Sequence, residues 1–258
     1  MSQVAIVTGA FDGIGRAISV RLASHPDTVV VCTDIQGADE TAELVTAAGA
    51  TGVARVLDVT DAAQWKRLVD DVVAEHGQVD YLAASAGVVN RISLDTVVDL
   101  TEEAWDHVLS VDAKGVWLGM QAVIPQMITQ GAGHIVNISS LAASKGLQGL
   151  ASYTAAKGAV EALTRQAAAE YGRRGVLVNA VAPGTIETTI NAATLADPDG
   201  AAASIATTTI GRWGQPQELA AMVVALLRHG SFVSGQVLHV DGGWSVSGGI
   251  DYQDSRTM

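Results

Sequence analysis

The chain has 258 residues, 48 % of them hydrophobic and 16 % charged, with a formal net charge of −12. That charge argues against nucleic acid or an anionic membrane surface as a partner, and no apolar stretch reaches membrane-spanning length. The single cysteine, Cys32, excludes a disulfide within the chain and agrees with a reducing, cytoplasmic compartment; the six histidines show no paired metal spacing, so no metal is expected.

Gln3 to Val7 is a short apolar run, read as a buried parallel strand over Val4–Val7 and not as a signal peptide. Thr8-Gly9-Ala10-Phe11-Asp12-Gly13-Ile14-Gly15 follows, and an amphipathic helix over Arg16–Ala23 comes next. A glycine turn between a strand and a helix N-terminus lets backbone approach a pyrophosphate, and the helix end supplies free N–H groups. The glycines are separated by three residues and then one, a variant of the dinucleotide fingerprint.

The second strand, Thr28–Thr33, carries Cys32 as a core residue and runs into Asp34-Ile35. Asp34 lies nineteen residues past Gly15, where a carboxylate accepts the adenosine ribose hydroxyls and repels a 2′-phosphate. Asp12 adds to that repulsion and also reads as a helix N-cap. No Arg or Lys falls between Asp12 and Ile14 or directly after Asp34, so the sum predicts NAD over NADP.

Further strands are predicted over Val53–Leu57, Tyr81–Ala84, His134–Ile138, Leu177–Ala180 and Gln236–His239, with helical patterns between them. A long helix, roughly Glu102–Thr129, precedes the fifth strand, and Pro125 is expected to kink or end it. The alternation predicts an α/β fold, a doubly wound parallel seven-stranded sheet with helices on both faces, in a single domain over residues 1–258. Only Phe11 and Phe232 are Phe, so the core must be Val, Ala, Leu and Ile, as suits such a sheet.

Tyr153 and Lys157 sit four apart in a stretch of helical composition, which puts them on one face, one turn apart. An ammonium beside a phenol favours the phenolate and is expected to draw its pKa down from about 10 toward working pH. A phenol so tuned gives or takes a proton at an alcohol or carbonyl oxygen. Residues 185–209 are rich in Ala and Thr around an Asp197-Pro198-Asp199-Gly200 turn, and read either as a lid or as two surface helices and a turn. Residues 244–258 form a polar-ended tail, loose in an isolated subunit or wrapped on a neighbour.

With these residues in place the chain resembles the short-chain dehydrogenase/reductase family over almost its whole length. The glycine turn matches at Thr8, Gly9, Gly13 and Gly15, and the acid and apolar pair that meets adenine matches Asp58-Val59. Ser140, thirteen residues before Tyr153, matches the catalytic serine, and Tyr153 with Lys157 the signature pair. Pro183-Gly184, then Ile186 and Thr188, match the nicotinamide segment; Gly211 to Pro216 and Ser234 to Gly243 match late motifs. Two places depart. Ala84-Ser85-Ala86-Gly87 stands where the family has Asn-Asn-Ala-Gly, which keeps the turn near the adenosine ribose at Ala86-Gly87 but loses the first Asn side chain. Asp112 stands where the family has a catalytic Asn that holds a proton-relay water; it brings charge toward Lys157 and offsets part of that lysine's pull on Tyr153.

The resemblance implies a Rossmann-like fold, a homotetramer built on the long helix, the Tyr153 helix and the last strand, and hydride transfer between NAD and a secondary alcohol or ketone. Small residues at Ala155, Ala156, Gly158, Ala159 and Ala162 allow close packing against a partner helix or against the subunit's own sheet. Leu141, Ala142, Leu147, Leu150, Ile186, Ile190 and Leu195 are candidates for an apolar substrate wall, and Lys145 and Arg91 are the basic residues nearby. No Lys or Arg occurs from Gly184 to Gly211, which points to a neutral substrate such as a cyclic alcohol, polyol or hydroxyketone. The alternatives are a reductase of 3-oxoacyl groups on a carrier protein, which Arg173 and Arg174 keep open, and a catalytically weak nucleotide-sensing or scaffold protein.

Overall fold

The computed structural model describes residues 2–246. Seven strands form one parallel sheet: β1 (Gln3–Thr8), β2 (Thr28–Asp34), β3 (Thr51–Val56), β4 (Tyr81–Ala84), β5 (Gly133–Ile138), β6 (Val176–Pro183) and β7 (Val237–Val240). Their spatial order is β3-β2-β1-β4-β5-β6-β7. All seven expected strands are present. β6 runs three residues beyond its expected end, because Pro183 closes a strand without needing a ladder N–H.

The helices are α1 (Gly13–Leu22), α2 (Asp39–Ala47), α3 (Ala62–His76), α4 (Glu102–Leu109), α5 (Gly115–Gln130), α6 (Ala151–Tyr171), α7 (Ala192–Ala196), α8 (Pro198–Ala206) and α9 (Pro216–His229). Successive residues of a strand face opposite ways, and the core divides accordingly. Val4 and Ile6 join Val69 of α3, Val123 of α5 and Val160 of α6, while Ala5 and Val7 join Leu22 of α1, Val45 of α2 and Leu227 of α9. Cys32 lies on the second side, fully buried in β2.

Two expectations for the helices need correction. Pro125 neither ends nor interrupts α5, which continues to Gln130. The carbonyl that its missing N–H frees belongs to exposed Gln121, so no buried acceptor is left behind. The long helix is instead interrupted between α4 and α5 by one π-helical turn over Ser110–Lys114, which contains Asp112. The segment 185–209 folds as a short 3-10 turn (Thr189–Asn191) and the helices α7 and α8, with Asp197 capping α8 at the Gly200 N–H. Of the tail, Trp244–Val246 forms a 3-10 turn, and the rest of the expectation for 244–258 lies outside the described residues.

The chain order of the strands reverses between β1, which pairs with β2 on one side, and β4 on the other. In an open parallel sheet the crevice beyond the strand ends at that point is where a ligand binds. Both the glycine turn after β1 and the Ala84–Gly87 turn after β4 open into it.

Candidate active site

The two turns are locked together. Thr8 Oγ1 accepts the N–H groups of Ser85 and Ala86, each at 3.0 Å, so the second turn keeps its shape although Ala84 has no polar side chain. The cost of Ala84 falls elsewhere: its register partner is Asn137, whose buried Oδ1 lacks a hydrogen-bond partner among the described residues. Gly9 has φ +66°, and a Cβ there would stand 2.8 Å from Ala86 Cα; a Cβ on Gly15 would stand 2.1 Å from Gly9 O. Only glycine permits strand, turn and helix to close this tightly.

A cleft of about 420 Å³ opens over the turns. Of the residues expected at a cofactor, Gly9, Asp12, Gly13, Ile14, Gly15, Asp34, Ile35, Asp58, Val59, Ala86, Gly87 and Thr188 line it. Phe11, Gln36, Leu57, Ser85, Val88, His107, Val111 and Thr189 also line it and were not anticipated, although most adjoin residues that were. Phe11, 39 % exposed, is an apolar ring in a polar turn, and that mismatch is a signal the sequence did carry. Pro183, Gly184 and Ile186 are not on the wall. Ile186 is buried against Gly214, where a Cβ would meet its Cδ1 at 2.6 Å, and its carbonyl accepts Asn191 Nδ2 at 2.8 Å.

Asp34 accepts the Gln36 N–H at 3.0 Å and the Phe11 N–H at 3.4 Å, which ties the end of β2 to the glycine turn. Asp12 occupies the N-cap position of α1 but caps nothing, contrary to that expectation. Its carboxylate accepts the Thr189 hydroxyl at 2.7 Å, because the 3-10 turn at Thr189 lies over the glycine turn. Arg16, on the first turn of α1, is held by Glu40 at 2.9 Å and by the Phe11 carbonyl. These residues fit a dinucleotide: glycine-permitted backbone and a helix N-terminus for the pyrophosphate, and a carboxylate for the ribose.

Beside the cleft stand Ser140, Tyr153, Lys157 and Asp112. Lys157 reaches from α6 into the interior, 3 % exposed, and donates to the Ile138 carbonyl at 3.1 Å. Its ammonium lies 5.4 Å from the centre of the Tyr153 ring and 3.0 Å from Asp112 Oδ2. Asp112 is fully buried, not solvated, and its Oδ1 accepts the Val88 N–H at 2.8 Å. Ser140 Oγ accepts the Ala142 N–H at 3.1 Å, and the Ser140 hydroxyl acts to lower the pKa of the Tyr153 phenol.

The electrostatics differ from the expectation for Tyr153. Burial pushes the phenol above its ordinary value; Lys157 pulls it down, Asp112 pushes it up again, and the net is upward. Burial also lifts the Asp112 carboxyl, against the pull of Lys157. On Lys157 burial opposes the charge, but Asp112 and Tyr153 outweigh it and hold the ammonium above its usual range. The lysine therefore divides its field between a phenol and a carboxylate.

The expected substrate wall is only partly there. Leu141 and Ala142 are buried as core under the short turn after Ser140. Leu147 and Leu150 are half-buried, Leu195 is exposed, and Ile190 lines the glycine-turn cleft instead. Lys145 donates to the Trp244 carbonyl at 3.0 Å, and Arg91 is exposed.

A parallel sheet with a glycine-lined cleft at its switch point, flanked by a Ser-Tyr-Lys group, defines an oxidoreductase that uses a nicotinamide dinucleotide and acts on CH–OH groups. The family model described as enoyl-(acyl carrier protein) reductase matches residues 9–245. The chain is 36 % identical over 244 residues to the 2-dehydro-3-deoxy-D-gluconate 5-dehydrogenase of Dickeya dadantii, covering 94 % of this chain and 95 % of that one. It is 38 % identical over 245 residues to a 3-oxoacyl-(acyl-carrier-protein) reductase of Thermotoga maritima, covering 93 % and 97 %. A crystal structure from Agrobacterium tumefaciens with NADP bound superposes with a TM-score of 0.86 at 35 % identity, covering 95 % and 97 %. The chain belongs to the short-chain dehydrogenase/reductase family.

Proposed function

We propose that the protein is an NAD-dependent dehydrogenase of neutral secondary alcohols, working also in reverse on the ketones. The observation that carries this reading is the packing of Tyr153, Lys157 and Ser140 beside the glycine-lined cleft. The nicotinamide cofactor supplies the hydride acceptor or donor when bound. The turn at Gly9, Asp12, Gly13, Ile14 and Gly15 would hold its pyrophosphate, Asp34 and Ile35 its adenosine ribose, Asp58, Val59, Ala86 and Gly87 the adenine side, and Thr188 the nicotinamide side, with Pro183, Gly184 and Ile186 supporting that segment from behind the cleft wall.

In oxidation Tyr153 takes the hydroxyl proton, and Ser140 donates a hydrogen bond to the substrate oxygen and steadies its developing charge. Lys157 keeps a positive charge beside the phenol and a donor toward the nicotinamide ribose. Asp112 holds that ammonium in place and would pass protons outward by way of water.

NAD is favoured over NADP because Asp12 and Asp34 both line the cleft and Arg16, the basic residue of the first turn of α1, is paired with Glu40. A carboxylate at each position opposes a 2′-phosphate. Residues 185–209 would act as the lid, held to the glycine turn by the Thr189–Asp12 bond. A polyol or hydroxyketone suits a lid without Lys or Arg. The Dickeya relative, by its name, acts on a gluconate derivative, which shares the polyol chain but carries a carboxylate, so it supports the hydroxylated chain and not the neutral charge. The second reading, a carrier-protein-linked 3-oxoacyl reductase, has the Thermotoga relative in its favour.

The chain is proposed to be one domain that assembles as a homotetramer in the cytoplasm. The buried, unpaired Cys32 agrees with a reducing compartment. A cleft of about 600 Å³ between α5 and α6, lined by Trp117, Ile124, Leu163 and Tyr171 among others, and the edge strand β7 are surfaces that a neighbour would cover. A panel of secondary alcohols with NAD, followed by the absorbance of NADH, tests the function. No turnover of any of them, with turnover of a 3-oxoacyl thioester and NADPH, would replace this reading by the second.

A further inference from the structure

Helix α6 carries both Tyr153 and Lys157, yet it starts without a cap of its own. Its N-cap residue, Leu150, has φ −137° and ψ 38° and no side-chain acceptor. The first N–H groups of a helix have no partner within it and must find one elsewhere. Here they find Asp95, in the loop after β4. The Asp95 carbonyl accepts the Ala151 N–H at 3.1 Å, its Oδ1 accepts the Ser152 N–H at 2.8 Å, and its Oδ2 accepts the Ser152 hydroxyl at 2.8 Å. Asp95 is 7 % exposed and Ser152 is fully buried, so water does not compete for these bonds. All three fall on the two residues immediately before Tyr153. A carboxylate is also well placed at the positive end of a helix of 21 residues.

We propose that Asp95 is a positioning residue for Tyr153, a cap lent to the catalytic helix by a loop 57 positions earlier in the chain. The proposal rests on reading Tyr153 as the proton carrier. The same loop is fastened at its start, where the Val88 N–H binds Asp112 Oδ1 at 2.8 Å. One connection thus sets both the first turn of α6 and the carboxylate that holds Lys157. Loosened at Asp95, the first turn of α6 frays and the phenol loses its fixed place, while the cleft over the glycine turn is untouched. Proton transfer depends steeply on that placement.

The test uses the full chain and two substitutions, Asp95→Ala and Asp95→Asn. Hydrogen exchange of amides 151–157, followed by mass spectrometry, reads the helix end without any turnover. In Asp95→Ala it should quicken about tenfold or more, and in Asp95→Asn, whose side-chain oxygen still accepts the Ser152 N–H, it should stay within about threefold of the parent. With an alcohol that the parent oxidises, kcat should fall about tenfold or more in Asp95→Ala, NADH affinity should hold, and Asn should recover most of the rate. Unchanged exchange overturns the proposal, and so does quickened exchange with an unchanged kcat, which would make Asp95 a purely structural residue. If Asp95→Ala does not fold, Ser152→Ala removes one of the three bonds, and the same two readouts decide, with an effect of about threefold. Tyr153→Phe is run alongside. Full activity there would sink the reading of the site, while the exchange result would still judge Asp95 as the cap.

Discussion

Lys157 and Asp112 form a buried ion pair, Nζ to Oδ2 at 3.0 Å, with side chains 4 % and 0 % exposed. A neutral side chain at position 112 would leave the ammonium facing the phenol alone. The pair therefore keeps the lysine charged and at the same time weakens its effect on Tyr153. Removing one partner of a buried pair typically costs about 3–5 kcal/mol, so the pair is also a point of structural weakness.

Asp112→Asn should move the acidic limb of the oxidation pH profile to lower pH. Oxidation needs the phenol deprotonated, Asp112 pushes its pKa up, and loss of that charge lets it ionise earlier. The measurement is kcat against pH for both proteins. An unmoved limb at full activity would mean that residue 112 and the phenol are uncoupled.

Tyr153→Phe keeps the ring and deletes the proton carrier. Turnover should drop by about 10² or more with little change in NADH affinity. Steady-state rates and a fluorescence titration check the two halves separately.

NADH should bind at least about tenfold more tightly than NADPH, roughly 1.4 kcal/mol, because Asp12 and Asp34 oppose the extra phosphate. Titrating one preparation with both nucleotides decides it, and equal affinities would remove the argument from these two carboxylates.

Thr189→Val deletes the hydroxyl that binds Asp12 at 2.7 Å and keeps the shape of the side chain. The bond is exposed, so its loss should speed NADH release by only about fivefold, near 1 kcal/mol. Stopped-flow displacement measures this, and an unchanged release rate would show that the bond does not hold the segment closed.

Light scattering at micromolar concentration should give a tetramer mass. On α6, Ala156 packs into the subunit's own interior, but a Cβ on Gly158 would meet nothing and Ala162 is exposed, so part of the small-residue face is free. A fully active monomer would remove the assembly proposal and leave the site untouched.

Much of this molecule could be read from short stretches of sequence. The inner strands β1, β4, β5 and β6 read mostly as apolar runs, because strands buried on both faces need no alternation, whereas the edge strands β3 and β7 are partly exposed. The glycine turn, Asp34 and the Tyr153–Lys157 spacing each lie within one local element. Three features did not show in this way. A single widened turn at Ser110–Lys114 leaves composition and periodicity almost unchanged. The bonds of Asp12 to Thr189 and of Asp95 to Ser152 join residues 177 and 57 positions apart, and nothing near either end announces them. Leu141 and Ala142 follow Ser140 and are apolar, which suits a substrate wall and a core equally, and only the packing separates the two.

Cys32 gives the protein a built-in reporter. Burial in β2 pushes its thiol up to about 11, and no part of it reaches solvent. An alkylating reagent needs an accessible thiolate, so it can modify this chain only in molecules whose central sheet has come apart. Because the sequence holds no other cysteine, the rate of labelling at neutral pH counts those openings directly. Run with and without nucleotide, it would measure how strongly a ligand at the strand ends beside β1 and β4 restrains the opening of β2 next to them, in molecules that need not turn over any substrate.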